Sequence, residues 1–297
     1  MTKRSHADTP TTHMGEEAMA TEALGPIPVV SADAGRWFSA NPDKAWGEKF
    51  FLAYSPVWMT VFGVYQRSRI GDRMGDLGNL MVTLAIFAPL WIVPALVHDA
   101  GGRRWYETYW FKFNLWILVY SAIGTYFLTE YFFDVLGMVY NYPHLHWTLD
   151  SALVGSGKQV VPVMMYLHAH YFFVTYHTTA IIVMRRVRTS RLNVHPVIGA
   201  LVVAATAWFW ARAEITLTTS PSLADQFRYE DLAWALRWGA LVYACYFIVS
   251  FPMVSQLDEA PNDRWTVGRT VVNALAAGML TFILLDVVTA VIGARYR

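Results

Sequence analysis

The chain has 297 residues, 55% of them hydrophobic and 15% charged, with a formal net charge of +1 and a mean hydropathy of +0.31. This balance excludes a water-soluble domain and the continuous basic face that nucleic acid requires, and it points to a multi-pass membrane protein. The single cysteine, Cys245, lies in an apolar run and excludes a disulfide framework or a multi-cysteine zinc site.

Residues 1–45 are rich in Thr, Ala, Ser, Pro and Glu and lack apolar periodicity, so they read as a disordered polar tail ahead of one membrane domain over residues 46–297. No short apolar core with a small-residue cleavage site follows Lys3 and Arg4, and the first span is expected to insert uncleaved. The apolar runs predict an all-α, multi-pass transmembrane helical bundle of about seven spans. The first covers Phe50 to about Tyr65, is interrupted by Pro56 and ends in the polar run Gln66 to Asp76. The second covers about Leu77 to Val97, with kinks expected at Pro89 and Pro94. A third, aromatic span runs from about Phe113 through Tyr131, and the segment on to Tyr140 has room for an eighth. After the connection Asn141 to Gln159, the fourth span covers Val160 to Met184. It stops at Arg185, Arg186, Arg188 and Arg191, which read as a topology determinant in contact with lipid headgroups. The last three spans cover about Val197 to Leu217, Ala233 to Val254 and Thr270 to Gly293. Lys and Arg in the short loops place the amino terminus and the even-numbered loops in the cytoplasm, although Arg67, Arg69 and Arg73 argue the other way. Trp37, Trp105 and Tyr296 read as interfacial anchors.

Ionisable groups inside the spans are the chemical signal, because each costs about 2.5–3.5 kcal/mol on insertion scales and so has a partner or a task. At about 1.5 Å per residue, Glu130, His170, Glu214 and Asp286 fall at roughly 25, 21, 26 and 24 Å from the cytoplasmic ends of four spans, in one layer. Helical phase aligns His170 with His177 and turns His168 nearly away, which gives His168 a structural reading. The same phase places Glu130 with Tyr126, Glu214 with Trp210 and Asp286 with Phe282, as an apolar pocket with a polar floor needs. Arg237 is the expected partner if Glu214 is structural. The pairs His144-x-His146 and His168-x-His170 resemble a ligand supply, but imidazoles two apart diverge on a helix, so no metal is expected. A haem on His170 or His177, and a binding or transport role without turnover, stand as alternatives.

Several runs carry a resemblance: Trp46-Gly47-Glu48, Tyr109-Trp110-Phe111-Lys112-Phe113-Asn114-Leu115-Trp116, Tyr131-Phe132-Phe133-Asp134-Val135-Leu136-Gly137, Tyr176-His177, Tyr246-Phe247-Ile248-Val249-Ser250-Phe251-Pro252-Met253 and Leu257-Asp258-Glu259. Together, from about Trp46 to Gly293, the chain resembles the cycloeucalenol cycloisomerase family, the plant cycloeucalenol to obtusifoliol isomerases. The resemblance implies a sterol-biosynthesis enzyme, an intramolecular lyase that opens the cyclopropane ring of a cyclopropyl sterol without a cofactor. It implies a membrane location, in the endoplasmic reticulum of a eukaryote or the cytoplasmic membrane of a bacterium. The site then needs a proton donor, an acceptor and walls that tolerate a carbocation. Asp286 or Glu214 is the expected donor, His170 the base and His177 its orienting partner, all four matching the family in type. Glu130 departs from the family, which carries histidine there. Tyr126, Trp210, Tyr243 and Tyr246 are the expected aromatic walls, with Trp116 and Asn114 as further substrate contacts. The sequence leaves the preferred sterol and the oligomeric state open.

Overall fold

The computed structural model describes residues 35–151, 159–193, 195–260 and 262–296. The tail before residue 35 and the connection from Ala152 to Lys158 lie outside the described residues. Helix α1 (Pro42–Ser68) is followed by α2 (Asp76–Phe87), α3 (Pro89–Val97), α4 (Tyr109–Ile123), a π-helical turn (Gly124–Leu128) and α5 (Glu130–Asp134). The chain continues through strand β1 (Met138–Tyr140), α6 (Met164–Arg188), α7 (Pro196–Thr218), strand β2 (Phe227–Tyr229), α8 (Leu232–Ser255) and α9 (Val267–Ile292).

The helix starts follow from local chemistry. Asn41 caps α1 with Pro42 in its first turn, His195 caps α7 with Pro196 likewise, and Asp231 and Thr266 accept from the backbone at Trp234 and Arg269 to start α8 and α9. The α2 helix gives way to α3 just before Pro89, as a missing amide donor dictates. Pro56, by contrast, does not interrupt α1, which runs unbroken for 27 residues, with the Ser55 hydroxyl donating to Phe51 O at 2.8 Å beside it.

Among the described residues five helical stretches are long and apolar enough to cross a membrane: Asp76–Val97, Tyr109–Asp134, Pro196–Thr218, Leu232–Ser255 and Val267–Ile292. With α1 and α6 they make seven long helical stretches among the described residues, an all-α membrane bundle. The polarity of α6 has a packing explanation: α1, α2, α4, α7 and α8 all pack on it, so its histidines meet protein rather than lipid. Val64, Leu77, Leu96, Phe209, Val272 and Val291 remain exposed on the outer helices, the apolar surface a bilayer requires. There is no eighth span between Tyr131 and Tyr140. That segment holds the end of α5, Gly137 with φ +68°, and β1, which pairs antiparallel with β2. Gly137 is needed twice over, because a Cβ there would also stand 2.8 Å from the Tyr296 ring.

One end of the bundle is tied by buried charge. Arg185, only 1% exposed, donates to Glu48 at 2.8 Å through Nη1, to Glu259 at 2.7 Å through Nε and Nη2, and to Trp37 O at 3.1 Å. Arg185 is therefore a tie inside the protein and not the headgroup contact its place in a basic cluster suggests. The difference arises because the partners come from segments more than 70 residues away. Lys44 Nζ lies 2.9 Å from Glu259 Oε2 and donates to Ser255 O and Leu257 O, so the packed chain starts before the predicted tail boundary. Lys112 Nζ and Asp258 Oδ2 meet at 2.5 Å. Burial alone would raise the Glu259 carboxyl, yet the hydrogen bonds from Arg185 and the charges of Lys44 and Arg185 outweigh it and hold the pKa down to about 2.

Candidate functional site

At the opposite end, α1, α4, α6, α7 and α8 surround a cleft of about 950 Å³ of empty volume, its mouth included. Of that, about 160 Å³ is within reach of water centres. From α6, the i, i+4 rows Met165–Ala169–Phe173 and His168–Phe172 face it. Phe62 and Gln66 come from α1, Glu214, Leu217 and Thr218 from α7, and Tyr243 and Tyr246 from α8. Phe132 and Tyr140 add further aromatic wall, and Leu223 and Phe227 cover the rim near β2.

A further wall is the π-helical turn, whose Gly124 and Thr125 line the cleft together with Thr129. A π-turn skips helical bonds, and here the Thr129 hydroxyl donates to Gly124 O at 3.2 Å and Thr125 O at 2.9 Å. Gly124 also lets the Tyr246 ring approach, since a Cβ there would lie 3.2 Å from it. Tyr246 is buried and its hydroxyl has no partner among the described residues.

Among the described lining residues Glu214 is the one carboxyl, and no Lys or Arg is present. The Tyr176 hydroxyl donates to Glu214 Oε1. Trp210, one turn before Glu214, packs its ring 4.4 Å from that of Tyr176, so α7 both presents the carboxyl and braces its partner. Arg237, the partner expected under a structural reading of Glu214, lies over the Trp238 ring at 5.2 Å.

The predicted polar layer is dispersed. His170 and His177 do share a face, but it is turned towards α4. His170 Nε2 meets Asn114 Oδ1 at 3.1 Å, and His177 Nε2 meets Ser250 Oγ at 2.8 Å beside the rings of Trp116 and Tyr120. Asn114 Nδ2 donates to Leu90 O and Trp110 O, which leaves its Oδ1 to accept, so His170 carries its proton on Nε2. Trp116 Nε1 donates to Asn273. None of Asn114, Trp116, His170 and His177 lines the cleft. Asp286 is exposed on α9 with the Tyr131 hydroxyl 3.4 Å away. Glu130 is buried at the start of α5, and Tyr126 packs on Phe127, both outside the lining. Of the predicted residues the cleft gathers Glu214, Tyr243 and Tyr246, with Trp210 behind them.

His168 and Tyr176 belong with the site and were not selected from sequence. The signal for His168 was its two-residue offset from His170, which turns it off the α4 face and into the cleft. For Tyr176 it was the pair Tyr176-His177. The three imidazoles of α6 engage Thr83, Asn114 and Ser250 on separate helices. Among the described residues no three His, Cys, Asp or Glu side chains gather as a metal set.

No known family profile and no solved structure matches the chain. Cycloeucalenol cycloisomerase of Arabidopsis thaliana is 35% identical over 264 residues, which take in 86% of this chain and 89% of that relative. With that identity along nearly the whole of both chains, the protein belongs to the cycloeucalenol cycloisomerase family.

Proposed function

We propose that the protein is a membrane isomerase that opens the cyclopropane ring of a cyclopropyl sterol. The observation that carries this reading is a carboxyl, Glu214, the one among the described lining residues, held by Tyr176 on the wall of an aromatic cleft in a chain of this family. Ring opening needs an acid and a cation-tolerant surface, and in this reading Glu214 is the acid and the Phe and Tyr walls are the surface. Oε1 of Glu214 accepts from Tyr176, leaving Oε2 to carry the proton. The proton passes to the bridging methylene carbon, the strained C–C bond breaks and its electron pair forms the new methyl C–H bond. A tertiary cation remains at the ring junction. Loss of a proton from the neighbouring carbon returns an electron pair as the ring double bond.

The rings of Phe132, Phe172, Phe173, Tyr243 and Tyr246 surround that cation with π faces. A cation over a desolvated ring gains about 2 kcal/mol. With water excluded, the cation loses a proton instead of being captured as an alcohol. In this reading Asp286, Glu130, His170 and His177 do not touch the substrate, and the last two hold α6 in place against α4 and α8.

The test is turnover of a cyclopropyl sterol by the purified protein in deuterated water with no added cofactor. The expected product is the ring-opened sterol with one deuterium in the new methyl group. A product without that label refutes protonation as the opening step. Tight sterol retention without conversion, across several cyclopropyl sterols, refutes the isomerase reading.

A further inference from the structure

His168 stands at a boundary. With Phe62, Gln66 and Phe227 it lines two cavities at once, the apolar cleft of Glu214 and a smaller polar one bounded by Tyr65, Asp72, Asn79, Tyr142, His144 and Gln226. The polar cavity has about 30 Å³ within reach of water centres. One water needs roughly 10–15 Å³, so about two fit. Its walls are ordered by side-chain bonds: Asn79 Nδ2 donates to Met74 O at 2.9 Å and Gly71 O at 3.1 Å, the Tyr65 hydroxyl donates to Asn79 Oδ1, and Gln66 Nε2 donates to Gln226 Oε1 at 3.0 Å. His168 Nε2 meets the Thr83 hydroxyl at 3.0 Å. That contact holds the ring and engages one of its two nitrogens.

Resting on the sterol reading above, we propose that His168 is the proton acceptor of the reaction and the relay that hands the proton to water in the polar cavity. Isomerisation needs one proton delivered and one removed. Once the cation has lost its proton to the His168 imidazole, Glu214 is a carboxylate and His168 an imidazolium. The imidazolium then releases its proton to water on its polar side, Glu214 takes one up again, and both groups are reset with no other reagent consumed. His168 faces both compartments and so reaches the water of the polar cavity directly, while Glu214 is re-protonated from the mouth of the cleft once the product has left. The titratable groups around it are Glu214 across the cleft, Tyr171 on its own helix, the tyrosines of the apolar wall, and Tyr65, Asp72, Tyr142 and His144 on the polar side. Among the described residues no Lys or Arg lines either cavity.

The experiment uses the full-length protein in detergent with a cyclopropyl sterol. His168→Gln should lower kcat by about 10²–10⁴-fold, the usual contribution of a general base, with KM little changed. His168→Ala should regain turnover on addition of imidazole, and the rescued rate should climb with the basicity of a series of substituted imidazoles. Full kcat in His168→Gln, a loss confined to KM, or rescue indifferent to basicity overturns the assignment, since a space-filling role would give the last two. An inactive wild-type protein overturns the sterol reading itself. An active wild type with active His168 variants overturns only the role of His168.

Discussion

Replacing Arg185 by Met should destabilise the protein by about 3–5 kcal/mol, the cost of removing one partner from a buried, hydrogen-bonded ion pair. The size follows from what is left behind. Arg185 is 1% exposed and Glu48 0%, and among the described residues the Glu48 carboxylate without the guanidinium keeps the Ser39 backbone donor at 3.1 Å. Lys44 does not swing to its aid, because its Nζ is already held by Glu259, Ser255 O and Leu257 O. Most of the loss is therefore an orphaned charge rather than lost packing, since Met fills much the same volume. Glu48→Gln added to Arg185→Met should recover about 1–3 kcal/mol, the penalty of a buried unsatisfied polar group. Denaturant titration in a mild detergent, followed by circular dichroism, measures both differences. A single-variant cost below about 1 kcal/mol, or a double variant no more stable than the single, would refute the buried-tie reading.

The other expectations divide the two ends of the bundle. Glu214→Gln should cut turnover by about 10²–10⁴-fold. Asp286→Asn, on the exposed face of α9, should leave turnover unchanged and shift stability by no more than about 0.5 kcal/mol; a dead Asp286→Asn enzyme would return that residue to the mechanism. Gly47→Ala would put a Cβ 2.6 Å from the Tyr109 ring, itself 1% exposed, where α1 crosses α4. The expected cost of that overpacking is about 1–3 kcal/mol in the same unfolding assay. Because the Glu259 carboxyl is held down at about 2 from its ordinary 4.5, its contribution is complete above the ordinary value and is lost as pH falls through the folded one. The stability gap between wild type and Glu259→Gln should therefore be constant near pH 6 and shrink steadily between about pH 5 and pH 2; a gap independent of pH would show that the charge is not what matters.

The class and span order were legible because apolar run length is set by bilayer thickness, which leaves little freedom at α7, α8 and α9. The two most polar long helices, α1 and α6, were legible only as apolar stretches with gaps, since the gaps are filled from neighbouring helices. Helical phase was right for pairs on one helix, such as His170 with His177 and Glu214 with Trp210. It failed between helices, because depth along an axis says nothing about azimuth: Asp286 and Glu214 come out at nearly the same height, yet one is exposed on α9 and the other lines the cleft. The π-turn at Gly124–Leu128 compounds this by changing the helical phase within the turn, where Tyr126 lies, and after it, where Glu130 lies, and both fall outside the lining.

The two ends also divide the labour of the runs that carry the family resemblance. Glu48, Lys112, Asp258 and Glu259 all lie in the ionic tie, and none of them lines the cleft. Eighteen positions separate Glu48 from Gln66 along α1, about 27 Å at helical rise. Their charge is a means of fixing where α1, α4 and α6 sit, in a bilayer where apolar burial alone gives helices little reason to choose partners. That fixing matters for chemistry at the far end, because a 1 Å displacement of a catalytic group costs a reaction on the order of 10²-fold. The cleft, by contrast, is built from commonplace residues, a Tyr–Glu pair, one His and a wall of Phe and Tyr. The Glu48, Lys112, Asp258 and Glu259 of the family-like runs thus belong to the frame around buried Arg185, while the carboxyl and imidazole that face one cavity among the described residues carry the proposed chemistry.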